Sequence, residues 1–250
     1  MTLPEVQDER YSSSLPSLAR DLSVGYDGSL PYHNWQHGTS TALEALRIRN
    51  RLQGMKRDGL PSNFVLTAAG WGHDYGLLSY CFDNEGRASH EEYARDKTLE
   101  ILSDYSVDSE TLEEVGLLIM ATSPLMRCRG LGQSIIRAAD LRNIAGDYQY
   151  DFRDSMDLLC DEHRILKGNN ISVIDYADIA IKILVKLLDS GFDFGEPRDD
   201  GYPFNFKKRA LTNIKRFALD IAQEKGEETA EYVSTLGQTV LRTLRIKTPD

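Results

Sequence analysis

The stretch Tyr32-His33-Asn34-Trp35-Gln36-His37 decides how the rest of the chain is interpreted, because it places two imidazoles four residues apart. Apolar residues recur near the helical period from here to about Arg51, and the interval contains no proline. Residues at positions i and i+4 are neighbours on a helix surface. The pattern therefore predicts a helix from His33 to about Arg51, with His33 and His37 on one face.

Two further polar elements interrupt apolar or small surroundings. His73 and Asp74 lie in Gly70-Trp71-Gly72-His73-Asp74-Tyr75-Gly76, and Asp140 lies in Ala138-Ala139-Asp140-Leu141. A buried carboxylate is costly without a cation or several hydrogen-bond donors. Adjacent side chains on a regular helix point about 100° apart, so His73 and Asp74 can converge on one ion only near a helix end. The flanking glycines mark such a place.

Imidazole and carboxylate are suitable ligands for a divalent metal ion that also holds water or phosphate oxygens. The predicted ligands are His37, His73, Asp74 and Asp140. Near pH 7 they present two neutral imidazoles and two ionised carboxylates. Ligand type alone does not select the metal ion.

The ligand order His, His-Asp, Asp resembles the signature of the HD-domain metal-dependent phosphohydrolases. The run Tyr-His-Asn-x-x-His resembles specifically the cyclic-nucleotide phosphodiesterase branch of that superfamily. The resemblance covers about residues 31–145. It implies an all-α, HD-domain helical bundle with additional C-terminal helices, and one or two divalent ions per site (Mn, Mg, Fe, Co or Zn).

The same resemblance implies roles for individual residues. It implies that His33 is the general acid that protonates the leaving oxygen. It also implies that Asp74 is catalytic, because it would hold the ion, or a pair of ions, that activates the attacking water. The run Asp140-Leu141-x-Asn143 is similar to that branch and implies that Asn143 lines the substrate pocket. Tyr75-Gly76 stands where the branch has a second histidine, and the acidic run from Glu91 is closer to small bacterial-type HD hydrolases.

Other substrate contacts are predicted from residue type. Arg127 and Arg129 are the first candidates for phosphate binding, because arginine binds phosphate in a bidentate manner. Arg137 and Lys97 are further candidates, and an ordinary surface role is the alternative for each. His90 has three open interpretations: a ligand of a second metal, a contact to a substrate phosphate, or an exposed residue of a helical first turn.

These observations predict a metal-dependent phosphohydrolase that cleaves a phosphomonoester, phosphodiester or nucleotide phosphate bond. The expected partner is a small-molecule phosphate ester or a nucleotide. An HD-fold diiron oxygenase is one alternative, although His90 and His163 are the only spare imidazoles. A non-catalytic metal- or nucleotide-binding regulatory module is the other.

Composition limits the binding partners, the cellular location and the cysteine chemistry that are expected. The formal net charge of −10 over 250 residues argues against nonspecific binding to nucleic-acid polymers or to anionic membranes. No signal pattern or long apolar run is present, so a cytoplasmic location is expected. The three cysteines, Cys81, Cys128 and Cys160, are widely spaced, which disfavours a disulfide framework or a structural zinc site. The oligomeric state is open, and a homodimer is one of its alternatives.

The chain is predicted to be all-α, with an N-terminal arm (1–30), an HD-type metal-binding core (31–145) and C-terminal helices (146–250) packed on that core as one domain. A short helix is expected at Leu15–Leu22, and Ser89 with Glu92 resembles a capping box. The chain is expected to turn away at Gly76, and loops are expected at Asp83–Gly86 and over Gly191–Pro203. Further helices are predicted at 62–74, from Ser89, and at 109–122, 135–144, 149–166, 173–189, 206–223 and 227–244.

Overall fold

The computed structural model describes residues 11–83, 85–194 and 201–226, and every regular element within them is helical. The predicted all-α class is therefore confirmed. The helices are α1 (Leu15–Ser23), α2 (Trp35–Gly54), α3 (Asn63–Gly72), α4 (Leu77–Phe82), α5 (His90–Ser103), α6 (Ser109–Met120), α7 (Leu131–Asp140), α8 (Asp154–Lys167), α9 (Val173–Asp189) and α10 (Phe206–Lys225). The helix predicted at 227–244 and part of the loop predicted at Gly191–Pro203 lie outside the described residues. Every described helix is too short or too polar to cross a lipid bilayer.

Side-chain caps set where several helices begin. Asn34 has extended backbone angles, and its side-chain oxygen accepts a hydrogen bond from the His37 N–H at 3.1 Å, so α2 begins at Trp35. The prediction that His33 lies within this helix is therefore wrong. The cap predicted at Ser89 is confirmed, since Ser89 Oγ accepts from the Glu92 N–H.

A short helix that is not predicted from the sequence follows the turn after α3. Gly76 has a φ of +70°, a left-handed conformation that glycine adopts without steric cost, and α4 starts directly after it. No helix is predicted at Leu77–Phe82, because six residues are too few to display a helical period. The helix predicted at 135–144 is also shifted: α7 ends at Asp140 and a 3₁₀ turn, Arg142–Ala145, follows.

The chain divides into two compact units. The first contains the described residues up to Arg142 together with 192–194 and 201–204, and the second contains 143–191 and 205–226. The second unit has its own apolar core, in which the Phe152 ring packs edge-on against Phe217. That the C-terminal helices pack on the core as a single domain stays a prediction.

Helix α3 is the centre of the first unit, because all its residues from Phe64 to Gly72 are buried. Helices α2, α6 and α7 pack around it. Gly70 allows α2 to approach closely: a Cβ atom at this position would lie 2.6 Å from Ala42 Cα. A helix that is apolar on every side must be covered on every side, so α3 fixes where its neighbours lie.

Arg137 of α7 joins that helix to the end of α6. Its side chain is fully buried, and its guanidinium donates hydrogen bonds of 2.7 Å to the carbonyls of Ala121, Ser123 and Met126. Because a buried guanidinium with these partners is not accessible to a ligand, the prediction that Arg137 binds phosphate is wrong. Its role is to satisfy backbone carbonyls where α6 ends.

We expect Gly70→Ala to destabilise the protein by about 3 kcal/mol, since the added methyl group meets backbone atoms of α2 that cannot move aside alone. Gly54→Ala is the matched control, because nothing lies within 4 Å of a Cβ atom there. Urea unfolding of both variants measures the difference. Equal stabilities for the two variants would contradict the close packing of α2 on α3.

Candidate metal centre

The four predicted ligands come together from three separate helices. His37 lies in the first turn of α2, His73 and Asp74 directly follow α3, and Asp140 is the last residue of α7. One ligand atom from each residue lies within 4.8 Å of those of the other three. This is the one group of potential metal ligands found in the part of the chain that the structure describes.

The turn after α3 is held by contacts from two other segments. Tyr26 OH donates a 2.7 Å hydrogen bond to the carbonyl of Trp71, and Thr98 Oγ1 donates to the carbonyl of Gly72. A Cβ atom on Gly72 would lie 2.4 Å from Thr98 Oγ1, so only glycine allows α5 to come this close. The anchored turn lets the adjacent side chains of His73 and Asp74 converge, as the flanking glycines predict.

A backbone contact fixes the tautomer of His73. Its Nδ1 lies 3.0 Å from the carbonyl oxygen of Gly70, which can only accept a hydrogen bond. Nδ1 therefore carries the proton, and the Nε2 lone pair of the neutral ring faces the other ligands. Metal-binding histidines commonly have this arrangement, with the second ring nitrogen bonded to a carbonyl.

The spacing of the ligand atoms matches the requirement of a single ion. His37 Nε2 lies 3.0 Å from Asp140 Oδ1 and 3.4 Å from Asp74 Oδ2. His73 Nε2 lies 2.9 Å from Asp74 Oδ2 and 3.3 Å from Asp140 Oδ1, and the two Nε2 atoms are 3.3 Å apart. Ligands at right angles, each about 2.1 Å from an ion, are about 3.0 Å from one another.

Burial and charge make this position suitable for a cation. Burial alone would raise the pKa of Asp140, but the His73 and His37 imidazoles outweigh it and hold that pKa well below its usual value. The pKa of Asp74 is likewise lowered against the effect of burial, chiefly by His73 and then by His33. Both carboxylates are therefore ionised. Asp74 Oδ2 is buried, and it lies 2.9 Å from His73 Nε2 and 3.4 Å from His37 Nε2.

The two imidazoles respond differently to this environment. Burial is the largest influence on His37 and lowers its pKa, which favours the neutral form that binds metal. Burial also acts to lower the pKa of His73, but the Asp74 and Asp140 carboxylates outweigh it and raise that pKa well above its usual value. A proton on His73 and a divalent ion thus compete for the same negative charge. The four residues fit a resident divalent cation.

His33 lies beside the four ligands although it precedes α2. Its ring is 5.5 Å from the His37 ring and nearly perpendicular to it, and it is 4.9 Å from the Tyr32 ring. Its charge contributes to lowering the pKa of Asp74. The side chain is only half-buried, so it combines proximity to Asp74 with access from solvent.

His90 lies near the ligand Asp74, and most of its side chain is buried. Its side chain is 13% exposed, and its Nδ1 is 3.9 Å from Asp74 Oδ1. The interpretation as an exposed residue is wrong, because the Tyr80 ring of the unpredicted α4 packs 5.9 Å from the His90 ring. His90 Nε2 is buried and has no hydrogen-bond partner among the described residues.

The remaining predicted substrate contacts are not joined to the ligands by any described interaction. Arg127 and Arg129 are exposed in the connection between α6 and α7. Asn143 belongs to the second unit, where its side-chain amide donates to Ser155 Oγ at 3.0 Å. Lys97 pairs with Glu85. The substrate roles of these residues stay predictions.

Two supporting residues are missed by sequence reasoning. Tyr26 lies in the predicted N-terminal arm, and Tyr80 lies in the unpredicted α4. Neither has a pattern that indicates its partner, because each contact joins segments that are distant in sequence. A signal for the close packing does exist in the small residues Gly70 and Gly72 of the apolar helix α3.

Comparisons with protein-family models and with curated proteins find no relative of this chain. The buried His/Asp group in an all-helical structure is compatible with an HD-like domain. The case for metal binding therefore depends on the geometry of the site itself.

We expect Asp74→Asn to weaken the binding of Mn²⁺ or Co²⁺ by at least about 100-fold, because it removes one ligand charge from a buried site. Isothermal titration calorimetry after chelation measures the affinity, and elemental analysis measures the metal retained on purification. Glu113→Gln, a change to an exposed carboxylate of α6, is the control and leaves both quantities unchanged. Equal metal affinity in the two variants would show that the ligands are wrongly assigned.

Proposed function

We propose that this protein is a metal-dependent phosphohydrolase that acts on a small phosphate ester or a nucleotide. The observation that supports the proposal most strongly is the convergence of two imidazoles and two ionised carboxylates in one buried group. A second imidazole pair, His33 and His90, lies within electrostatic reach of Asp74. A site that served structure alone would have no use for a half-exposed His33.

The residues that would hold the ion are His37, His73, Asp74 and Asp140. A divalent ion in such a site supplies Lewis-acid activation of water and of a phosphoryl group. The chain's own residues then control the geometry. The carbonyl of Gly70 orients His73, and Asn34 fixes the first turn of α2 that carries His37.

In this proposal His33 is the general acid. An imidazole titrates near neutral pH and can therefore give a proton to the departing oxygen at working pH. The ionised Asp74 favours the protonated form of a nearby imidazole, in agreement with the electrostatic coupling between the two residues. Half-burial leaves His33 accessible to the leaving group and to solvent, from which it regains its proton.

His90 is proposed to position the phosphoryl group. Its Nε2 is buried without a hydrogen-bond partner among the described residues, so a phosphate oxygen within reach of that nitrogen would satisfy it. Arg127 and Arg129 of the first unit are proposed as further substrate contacts. The arginines would neutralise the charge of a phosphate through bidentate hydrogen bonds.

We expect His33→Gln to slow the hydrolysis of alkyl phosphate esters by about 100-fold or more, because their leaving alkoxide needs a proton. Hydrolysis of p-nitrophenyl esters should fall much less, since p-nitrophenolate leaves without one. The measurement is kcat/KM for both ester types with the metal-loaded protein. His163→Gln, which alters an imidazole that packs on Tyr176 in the second unit, is the control.

Two outcomes would contradict the role of His33 or the phosphohydrolase proposal. Equal losses for both leaving groups would show that His33 does not act as the acid. A protein that binds metal but hydrolyses no phosphate ester would contradict the phosphohydrolase proposal. Iron-dependent oxygen uptake would then support the diiron oxygenase, and its absence would support a non-catalytic metal- or nucleotide-binding module.

A further inference from the structure

Helix α9 of the second unit is apolar on its outer face as well as on its inner one. It packs against α8 and α10, and its buried side chains are Tyr176, Ala177, Ala180, Ile181, Leu184, Val185, Leu187 and Leu188. On the opposite face, Ile179 and Ile183 are 38% and 45% exposed. A surface helix normally carries polar residues on the face that meets water, so a further partner is expected for this side of α9.

Two charged residues lie at the ends of this apolar stripe. Residues four apart are neighbours on a helix surface, so Asp175, Ile179 and Ile183 form one row. Lys186 follows Ile183 by about one turn, and a rotation of about 100° per residue brings it onto the same side. Asp175 and Lys186 are both exposed. These four residues, called the α9 face below, run from a negative charge through two isoleucines to a positive charge.

This order of charges is complementary to itself when two helices lie antiparallel. In a two-fold symmetric pair, the start of each helix meets the end of the other. With the axis midway between Ile179 and Ile183, each Ile179 lies opposite Ile183 of the second copy. Asp175 then lies level, to within one residue, with Lys186 of the second copy, and symmetry produces this pair twice. A parallel arrangement would instead place like charges together.

From this pattern we propose that the α9 face binds the same face of a second copy of this chain, as an antiparallel pair of helices related by a two-fold axis. Burial of the isoleucines supplies the apolar gain, and the pairs between Asp175 and Lys186 select the antiparallel orientation. One carboxylate oxygen of Asp175 already accepts from Ser172 Oγ, and the carboxylate has further acceptor capacity. The exposed Lys182 lies at the flank, where its long side chain reaches solvent. Because one helix per chain is a small interface, the dimer is weak and reversible.

Sedimentation velocity of the full-length chain, from about 5 to about 500 µM, tests the proposal in the range where weak interfaces assemble. We expect the mean mass of the natural sequence to rise with concentration from monomer toward dimer. The double variant Ile179→Ser with Ile183→Ser should stay monomeric, because the apolar stripe is removed. Ile165→Ser is the control, since it changes an equally exposed isoleucine on α8 and should leave dimerisation unchanged.

Two results of that experiment would overturn the proposal. One is a natural sequence that stays monomeric at every concentration, and the other is a dimer that survives the double serine variant. If the chain is monomeric and the double variant unfolds at a lower urea concentration, a segment of the same chain covers the α9 face instead.

A charge swap tests the antiparallel orientation. Lys186→Glu places two carboxylates opposite each other, so we expect the dimer affinity to fall about tenfold or more. Adding Asp175→Lys restores opposite charges in the antiparallel pair and should recover most of the affinity, with circular dichroism to check that the helix content is kept. A correctly folded double variant that stays monomeric would contradict the antiparallel pairing. Metal binding should be unchanged in every variant, because the four metal ligands belong to the first unit and the α9 face does not depend on the proposed hydrolysis.

Discussion

Two ionised carboxylates, Asp74 and Asp140, face two imidazoles in the interior of the first unit, and this electrostatic arrangement constrains the structure around it. Buried carboxylates are tolerated only when positive charge or hydrogen-bond donors compensate them. In this protein the compensation comes from His37 and His73, and it is completed by a proton or a metal ion. The start of α2 and the ends of α3 and α7 must therefore lie close together.

The packing of the first unit brings these helix ends together. Helix α3 is buried on all sides, and Gly70 lets α2 approach it at backbone distance, which brings His37 to His73. Arg137 binds α7 to the end of α6 and so sets the position of Asp140 three residues later. The turn after α3 is held by Tyr26 and Thr98, which allows adjacent residues to serve one ion.

Much of this arrangement could be predicted from local patterns in the sequence. The helical class, the cap at Ser89 and the four ligand residues follow from periodicity, capping chemistry and the oddity of polar residues in apolar runs. Features that depend on contacts between distant segments could not be predicted. Helix α4 has six residues, too few to show a helical period in the sequence, and its Tyr80 ring packs 5.9 Å from the His90 ring.

The errors also have physical reasons. The sequence predicts a helix start at His33, but the Asn34 side chain accepts the His37 N–H and the helix begins at Trp35. Asparagine at this position competes with the backbone as an acceptor. Arg137 resembles a phosphate ligand in the sequence, since nothing local reveals the three carbonyls to which it donates. Its burial is decided by where α6 ends, which is a property of the folded unit.

X-ray absorption spectroscopy of the Co²⁺- or Zn²⁺-loaded protein tests the central claim most directly. The account predicts a coordination shell of nitrogen and oxygen ligands at about 2.0–2.2 Å, with outer-shell scattering from two imidazole rings. An oxygen-only shell without imidazole scattering would contradict the assignment of His37 and His73. So would sulfur in the shell, because none of the four proposed ligands is a cysteine.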